Sequence, residues 1–87
     1  MHDTFLLNKI SHSLKEICNE NKINRIEQFM LVLNHHSHIS EESLQEHLKL
    51  HNPDIIGSEL NIKIQREDIE EQTAIIKSIQ GETLGKQ

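Results

Sequence analysis

The sequence is poor in the residues that cross-link small domains or hold structural metals. Its single cysteine, Cys18, cannot form an intrachain disulfide or hold a structural zinc ion alone, and we interpret it as a small core residue. Tryptophan and tyrosine are absent, and Phe5 and Phe29 are the two phenylalanines. Aliphatic side chains must therefore supply nearly all the packing. With 87 residues, the chain has room for one small core.

Basic residues and long apolar runs are also scarce. Nine Lys and Arg residues against 14 Asp and Glu residues give a net charge of −5, whereas a nucleic-acid surface needs clustered cations. No apolar run approaches the roughly 20 residues of a membrane span, and no signal-peptide pattern opens the chain. We therefore expect a cytoplasmic protein with no nucleic acid and no membrane partner. No nucleophile–base pair or glycine-rich phosphate loop is visible, so an enzyme is not expected.

Hydrophobic periodicity predicts two helices. Apolar residues recur at three-four spacing over residues 3–21, with Asp3 or Thr4 as the N-cap of the first helix. The second helix is predicted to run from an N-cap at Ser40 to an end before Pro53, because proline disfavours helical backbone in the residue that precedes it.

Three strands are predicted, at residues 26–34, 59–65 and 73–80. The first is apolar on both faces, which is typical of a strand covered on both sides, whereas the second alternates and indicates a half-buried strand. In the third, alternation places Ile75, Lys77 and Ile79 on one face. The acidic segment 66–72 is expected to be an exposed turn that joins the last two strands as an antiparallel pair.

The order α-β-α-β-β predicts an α+β fold. Both helices can cover one face of a three-stranded β-sheet, which gives a two-layer domain. Residues 1–80 are expected to form this single domain, and residues 81–87, which carry no pattern, a mobile tail.

The order of these segments and their ends resemble the nickel-binding domain of the HypA/HybF family of hydrogenase nickel-incorporation proteins. Members begin Met-His-Glu and pass into a helix, and this chain begins MHD before its first helical pattern. The family strand of the type AeLeI is similar to SELNIKI, and its last strand, approximately ellvKSIEvE, is similar to TAIIKSIQGE. The resemblance covers nearly all of residues 1–82.

Two departures limit what the resemblance implies. The family inserts a zinc domain with paired CxxC motifs between its last two strands, and REDIEEQ stands in its place here, so no structural zinc is expected. The Gly-Glu that follows the first strand of the family is replaced by NHHSH. Any role of the zinc domain is therefore not carried over.

The resemblance implies that His2 binds Ni(II). A histidine behind a free amine offers the amine of Met1, its own backbone nitrogen and its imidazole Nδ1 as a fused chelate, which the amide of Asp3 can complete to four nitrogens. Square-planar nitrogen sites favour Ni(II) and Cu(II) over zinc. The implied function is a metallochaperone for hydrogenase-type maturation. It binds nickel transiently and passes it to a maturation GTPase or a recipient metalloenzyme subunit, and a homodimer is left open.

The other histidines have more than one interpretation. His36 and His38 are auxiliary ligands if their loop lies beside the terminus, and otherwise they belong to a polar loop. His47 and His51 stand four apart on the second helix, a spacing that can chelate one metal, although half-buried packing is the favoured interpretation.

Two other functions stay open at this point. The first is a protein–protein interaction or regulatory module that retains the HypA fold without metal delivery. The second is non-specific metal buffering by the seven histidines. One tight nickel site that depends on His2 distinguishes the nickel-binding function from both.

Overall fold

The computed structural model of the chain describes residues 4–83. Within that range the elements are α1 (Thr4–Asn21), β1 (Ile23–Asn34), α2 (Glu41–His51), β2 (Ile56–Glu67) and β3 (Ala74–Thr83). The three strands form one sheet. The predicted α+β fold, with two helices and a three-stranded sheet in the order α-β-α-β-β, is confirmed.

The central strand of the sheet is β1. Its neighbours are β2, which runs parallel to it, and β3, which runs antiparallel to it, so the strand order is β2-β1-β3. Ile26, Phe29, Leu31 and Leu33 of β1 are all 0% exposed. A strand with this much apolar surface is most stable where neighbours cover both of its edges.

The predicted pairing of the last two strands is wrong. β2 and β3 run in opposite directions, but β1 lies between them. The segment 68–73 therefore passes over the C-terminal end of β1 instead of closing a hairpin, and we call it the crossing segment. The predicted exposure is confirmed for the carboxylates of Asp68, Glu70 and Glu71, whereas Glu67 is the half-buried last residue of β2.

The two helices form one layer. α1 packs against β1 and β3, α2 packs against β2, and the helices contact each other. The buried face of α1 repeats every four residues, at Leu6, Ile10, Leu14 and Cys18. Burying an aliphatic side chain of this size stabilises the fold by about 1.5–3 kcal/mol. Cys18 is 3% exposed, so its assignment to the core is confirmed.

A sharp reversal joins α1 to β1. The Asn21 side-chain amide donates a hydrogen bond to the carbonyl oxygen of Ile17 at 2.9 Å, which satisfies one of the last carbonyls of the helix. Lys22 then takes the left-handed backbone conformation, with a φ of 57°, and β1 begins at the next residue. Because one residue connects them, α1 and β1 run in opposite directions.

The N-terminus of α2 is capped as predicted. The Ser40 hydroxyl oxygen accepts a hydrogen bond from the Ser43 backbone N–H at 3.1 Å, and the Ser43 hydroxyl oxygen accepts one from the Ser40 N–H at 3.0 Å. The helix ends at His51, before Pro53, and the Asn52 N–H donates to the Leu48 carbonyl at 2.7 Å. Within residues 4–83, neither helix combines the length and apolarity that a membrane crossing needs.

β3 contains a bulge that was not predicted, and the bulge changes which of its side chains share a face. Met30 of β1 pairs with Ser78, and Leu31 pairs with Ile76, so Lys77 is an extra residue in the ladder. As a result Ile76 and Ile79 both pack against the core. The prediction that Ile75, Lys77 and Ile79 share one face is therefore wrong, because the bulge reverses the alternation; Ile75 is 42% exposed.

All three predicted strands differ in their bounds from the observed ones, and β2 extends beyond the predicted 59–65 at both ends, to Ile56 and Glu67. β1 begins at Ile23, three residues before the predicted start, and β3 continues to Thr83. Residues 81–83 are thus part of the sheet and not of a tail, since they pair with the first residues of β1. Residues 84–87 lie outside the described part of the chain.

Replacing Gly81 by alanine should destabilise the fold. A Cβ at this position would lie 2.0 Å from the Arg25 carbonyl oxygen and 3.0 Å from the Ile26 Cα, which are backbone atoms that cannot move independently. We expect Gly81→Ala to lower the free energy of unfolding by about 1–3 kcal/mol. Urea unfolding followed by circular dichroism measures the change.

Gly57 provides the matched control. A Cβ there would lie 3.0 Å from Cδ of the Arg25 side chain, which is flexible and can move aside. Gly57→Ala should therefore cost much less than Gly81→Ala. Equal losses would show that the approach of β1 to β3 at Gly81 is not tight.

Candidate functional site

The predicted nickel ligands Met1, His2 and Asp3 lie outside the residues that the structure describes. The described chain starts at Thr4, which is the first residue of α1. Metal binding by these three residues therefore stays a prediction.

The first turn of α1 points toward the end of the sheet at which β1 finishes. Lys9 and Ile10 border a small cavity together with Ala74, and Ala74 pairs with Leu33 near the end of β1. From Ile10 back to Thr4 the helix extends a further ~9 Å, which equals about three residues of a strand. The start of α1 thus reaches toward the segment that follows β1.

That segment carries three histidines on a backbone held by hydrogen bonds. His35, His36 and His38 are exposed, and we call residues 35–39 the histidine loop. The Arg66 guanidinium donates to the carbonyl oxygens of Ser37 and Ile39 at 2.8 and 2.5 Å. The backbone of the loop is therefore tied to β2, and its three histidine residues are exposed.

Asn34 joins the histidine loop to the crossing segment. Its side-chain oxygen accepts a hydrogen bond from the His36 N–H at 2.7 Å, and its side-chain nitrogen donates to the Ile69 carbonyl oxygen. Asn34 is 5% exposed, and a buried amide is tolerated where both of its ends are hydrogen-bonded. One side chain thus fixes two loops at the end of β1.

Among residues 4–83, no group of three or more His, Cys, Asp or Glu side chains is arranged to hold a metal ion. His36 and His38 therefore stay auxiliary ligands by prediction only.

His12 on α1 lies 3.2 Å from Glu16, measured from Nε2 to Oε2, and both side chains are largely exposed.

His47 and His51 on α2 form a tilted pair of rings in contact. Their ring centroids are 4.2 Å apart and their planes are inclined by 34°. His47 is half-buried as predicted, whereas His51 is exposed, so the prediction of two half-buried rings holds for the first alone. His47 Nε2 is buried and has no hydrogen-bond partner in the described part of the chain.

Burial shifts the pKa values of His47 and Cys18 in opposite directions. Burial, followed by the neighbouring His51, lowers the pKa of His47 below its ordinary value, so its imidazole is neutral at neutral pH. Burial raises the pKa of the Cys18 thiol. Cys18 is therefore a protonated core side chain and not a thiolate ligand.

Comparison with known proteins adds no family assignment. No protein-family model matches the chain, and no curated protein matches it either. The resemblance to nickel-incorporation proteins thus rests on the quoted motifs and on the order of helices and strands.

Asn34 and Arg66 were not among the functional residues predicted from the sequence. The available signal for Asn34 was a polar residue directly after the apolar run of β1. For Arg66, the first residue of the segment interpreted as an acidic turn, no sequence signal indicated a contact with the histidine loop.

Removing the Asn34 side chain should loosen both loops. Asn34→Ala leaves the Ile69 carbonyl and the His36 N–H without their partner, and we expect a loss of about 1–3 kcal/mol in the free energy of unfolding. Asn24→Ala, at an exposed position of the same strand, is the control and should change stability by less than about 0.5 kcal/mol. Similar losses would show that Asn34 holds neither loop.

The tilted pair predicts that the pKa of His47 depends on the presence of His51. In an NMR pH titration of the imidazole resonances, His47 should have a pKa below that of free histidine, and His51→Ala should raise it because both the charge and part of the burial are removed. His12→Ala on α1 should leave the His47 pKa unchanged. A His47 pKa that does not respond to His51→Ala contradicts the pairing.

Proposed function

We propose that the protein is a nickel-binding accessory protein for the maturation of a hydrogenase-type metalloenzyme, and that it binds Ni(II) through Met1, His2 and Asp3. The observation that carries this proposal is the motif MHD directly before α1. The α-β-α-β-β order that follows it is similar to the order in the HypA/HybF family. The proposal requires that Met1 carries a free amine.

The chemistry of the motif suits Ni(II). The amine of Met1, the backbone nitrogen and imidazole Nδ1 of His2 form fused chelate rings, and the Asp3 amide supplies a fourth nitrogen. A planar set of four nitrogens favours Ni(II) and Cu(II), because these ions prefer that geometry and zinc does not.

The position of α1 supports the proposal. α1 begins at Thr4, directly after the motif, and Lys9 and Ile10 lie beside Ala74 near the end of β1, where the histidine loop starts. The imidazoles of His36 and His38 are exposed there on a backbone held by Asn34 and Arg66. They are therefore suited to supplement the terminal ligands when metal is bound.

The proposed role is transfer of nickel and not its permanent storage. A chelate made by a chain terminus can be approached by a partner that offers competing ligands, such as a maturation GTPase or the recipient metalloenzyme subunit. The crossing segment takes the place of the family's zinc domain, so the proposed function includes no step that depends on structural zinc.

Calorimetric titration of Ni(II) into tag-free protein tests the proposal. We expect one tight site, which both His2→Ala and a short N-terminal extension weaken by at least about tenfold, or 1.4 kcal/mol of binding free energy. The extension acts because it converts the ligating amine into an amide. Lower pH should also weaken binding, since protons compete with the metal for the imidazole.

His12→Ala serves as the control, because this exposed histidine lies on α1 outside the proposed site. Equal nickel affinity with and without the extension would exclude the terminus as the site. The remaining function would then be an interaction module that retains the fold without metal delivery.

A further inference from the structure

We propose that His47 and His51 form a second metal site, on the last turn of α2, which takes a zinc-type divalent cation through two imidazole nitrogens. This site is separate from the proposed nickel function and does not depend on it.

The two rings lie beside each other on one face of α2. Residues four apart on a helix lie one above the other on the same face, and here the ring centroids are 4.2 Å apart. Two nitrogens that each lie about 2.0–2.1 Å from a tetrahedral zinc are separated by about 3.3 Å. Because His51 is exposed, its ring is free to rotate toward that separation while His47 stays packed.

One nitrogen of the pair lacks a partner. His47 Nε2 is buried, and no hydrogen-bond donor or acceptor among the described residues reaches it. Leaving a buried polar atom unpaired is unfavourable, and a bound cation would satisfy its lone pair. The lowered pKa of His47 also keeps the imidazole neutral at neutral pH, which is the form that ligates metals.

The end of a helix is a favourable place for a cation. His51 is the last residue of α2, where the unpaired carbonyl groups give the helix a partial negative charge. Asn52, which follows α2, hydrogen-bonds to Ser11 of α1. His47 is half-buried and His51 is exposed, so the pair lies at the edge of the buried face of α2.

The proposed site on α2 and the proposed site at the N-terminus favour different metals. Two imidazoles with open positions suit the tetrahedral geometry of zinc, whereas the planar nitrogen set at Met1 and His2 favours Ni(II) and Cu(II). Zinc is therefore the probe, and His2→Ala is the starting protein, because it removes the terminal imidazole and keeps His47 and His51.

Zinc chloride titrated into the full-length, tag-free His2→Ala protein tests the site by calorimetry and by NMR of the imidazole nitrogens. We expect one zinc per chain and zinc-dependent shifts of the His47 and His51 resonances. Adding His51→Ala should weaken zinc binding by at least about tenfold. Adding His12→Ala should change it by less than about twofold, since distant sites act independently.

A loss of zinc binding in the His51→Ala protein would not be caused by unfolding. His51 is exposed at the end of α2, so His51→Ala does not disturb the core. Zinc affinity unchanged by His51→Ala, zinc shifts at other histidines only, or no zinc binding at all would each overturn the proposal. Because the protein already lacks His2, none of these results bears on the nickel site.

Discussion

The burial of β1 at the centre of the sheet is the constraint on which the rest of the structure depends. Phe29, Leu31 and Leu33 are fully buried on one face and Val32 is buried on the other, and a strand this apolar is best covered where a neighbour lies along each edge. This requirement places β2 and β3 on opposite sides of β1. It also sends the chain from β2 to β3 across the end of β1, where the Asn34 amide meets both the crossing segment and the histidine loop.

Local features of the fold were predictable from the sequence because they depend on neighbouring residues. The four-residue repeat from Leu6 to Cys18 and the cap at Ser40 are decided within one or two helical turns. The order of strands in the sheet was not predictable in the same way, since an acidic segment between two strands is compatible with a hairpin and with a crossing. The bulge at Lys77 depends on the register against β1, which the strand's own alternation does not contain.

The two candidate sites also differ in how much of their geometry is predictable from the sequence. The spacing of His47 and His51 on one helix follows from the sequence, but the burial of one nitrogen follows from packing against the rest of the molecule. The motif MHD, by contrast, owes its chemistry to its covalent structure, in which an amine, an amide and an imidazole are linked in one short stretch. Such a chelate needs little support from the fold. The folded domain holds the histidine loop in a defined backbone conformation at the end of β1.

The crossing segment has a consequence for how the chain tolerates change in length. Its two ends are separated by the width of two strand spacings, or about 9.5 Å, and this gap is set by β1. The six residues of the segment are long enough to bridge the gap with slack, and β3 takes its alignment from β1 and not from β2. Extra residues inserted there would lengthen a surface bridge while every strand kept its partner. The end of the sheet beside the histidine loop is therefore a place where the chain can acquire or lose a whole module.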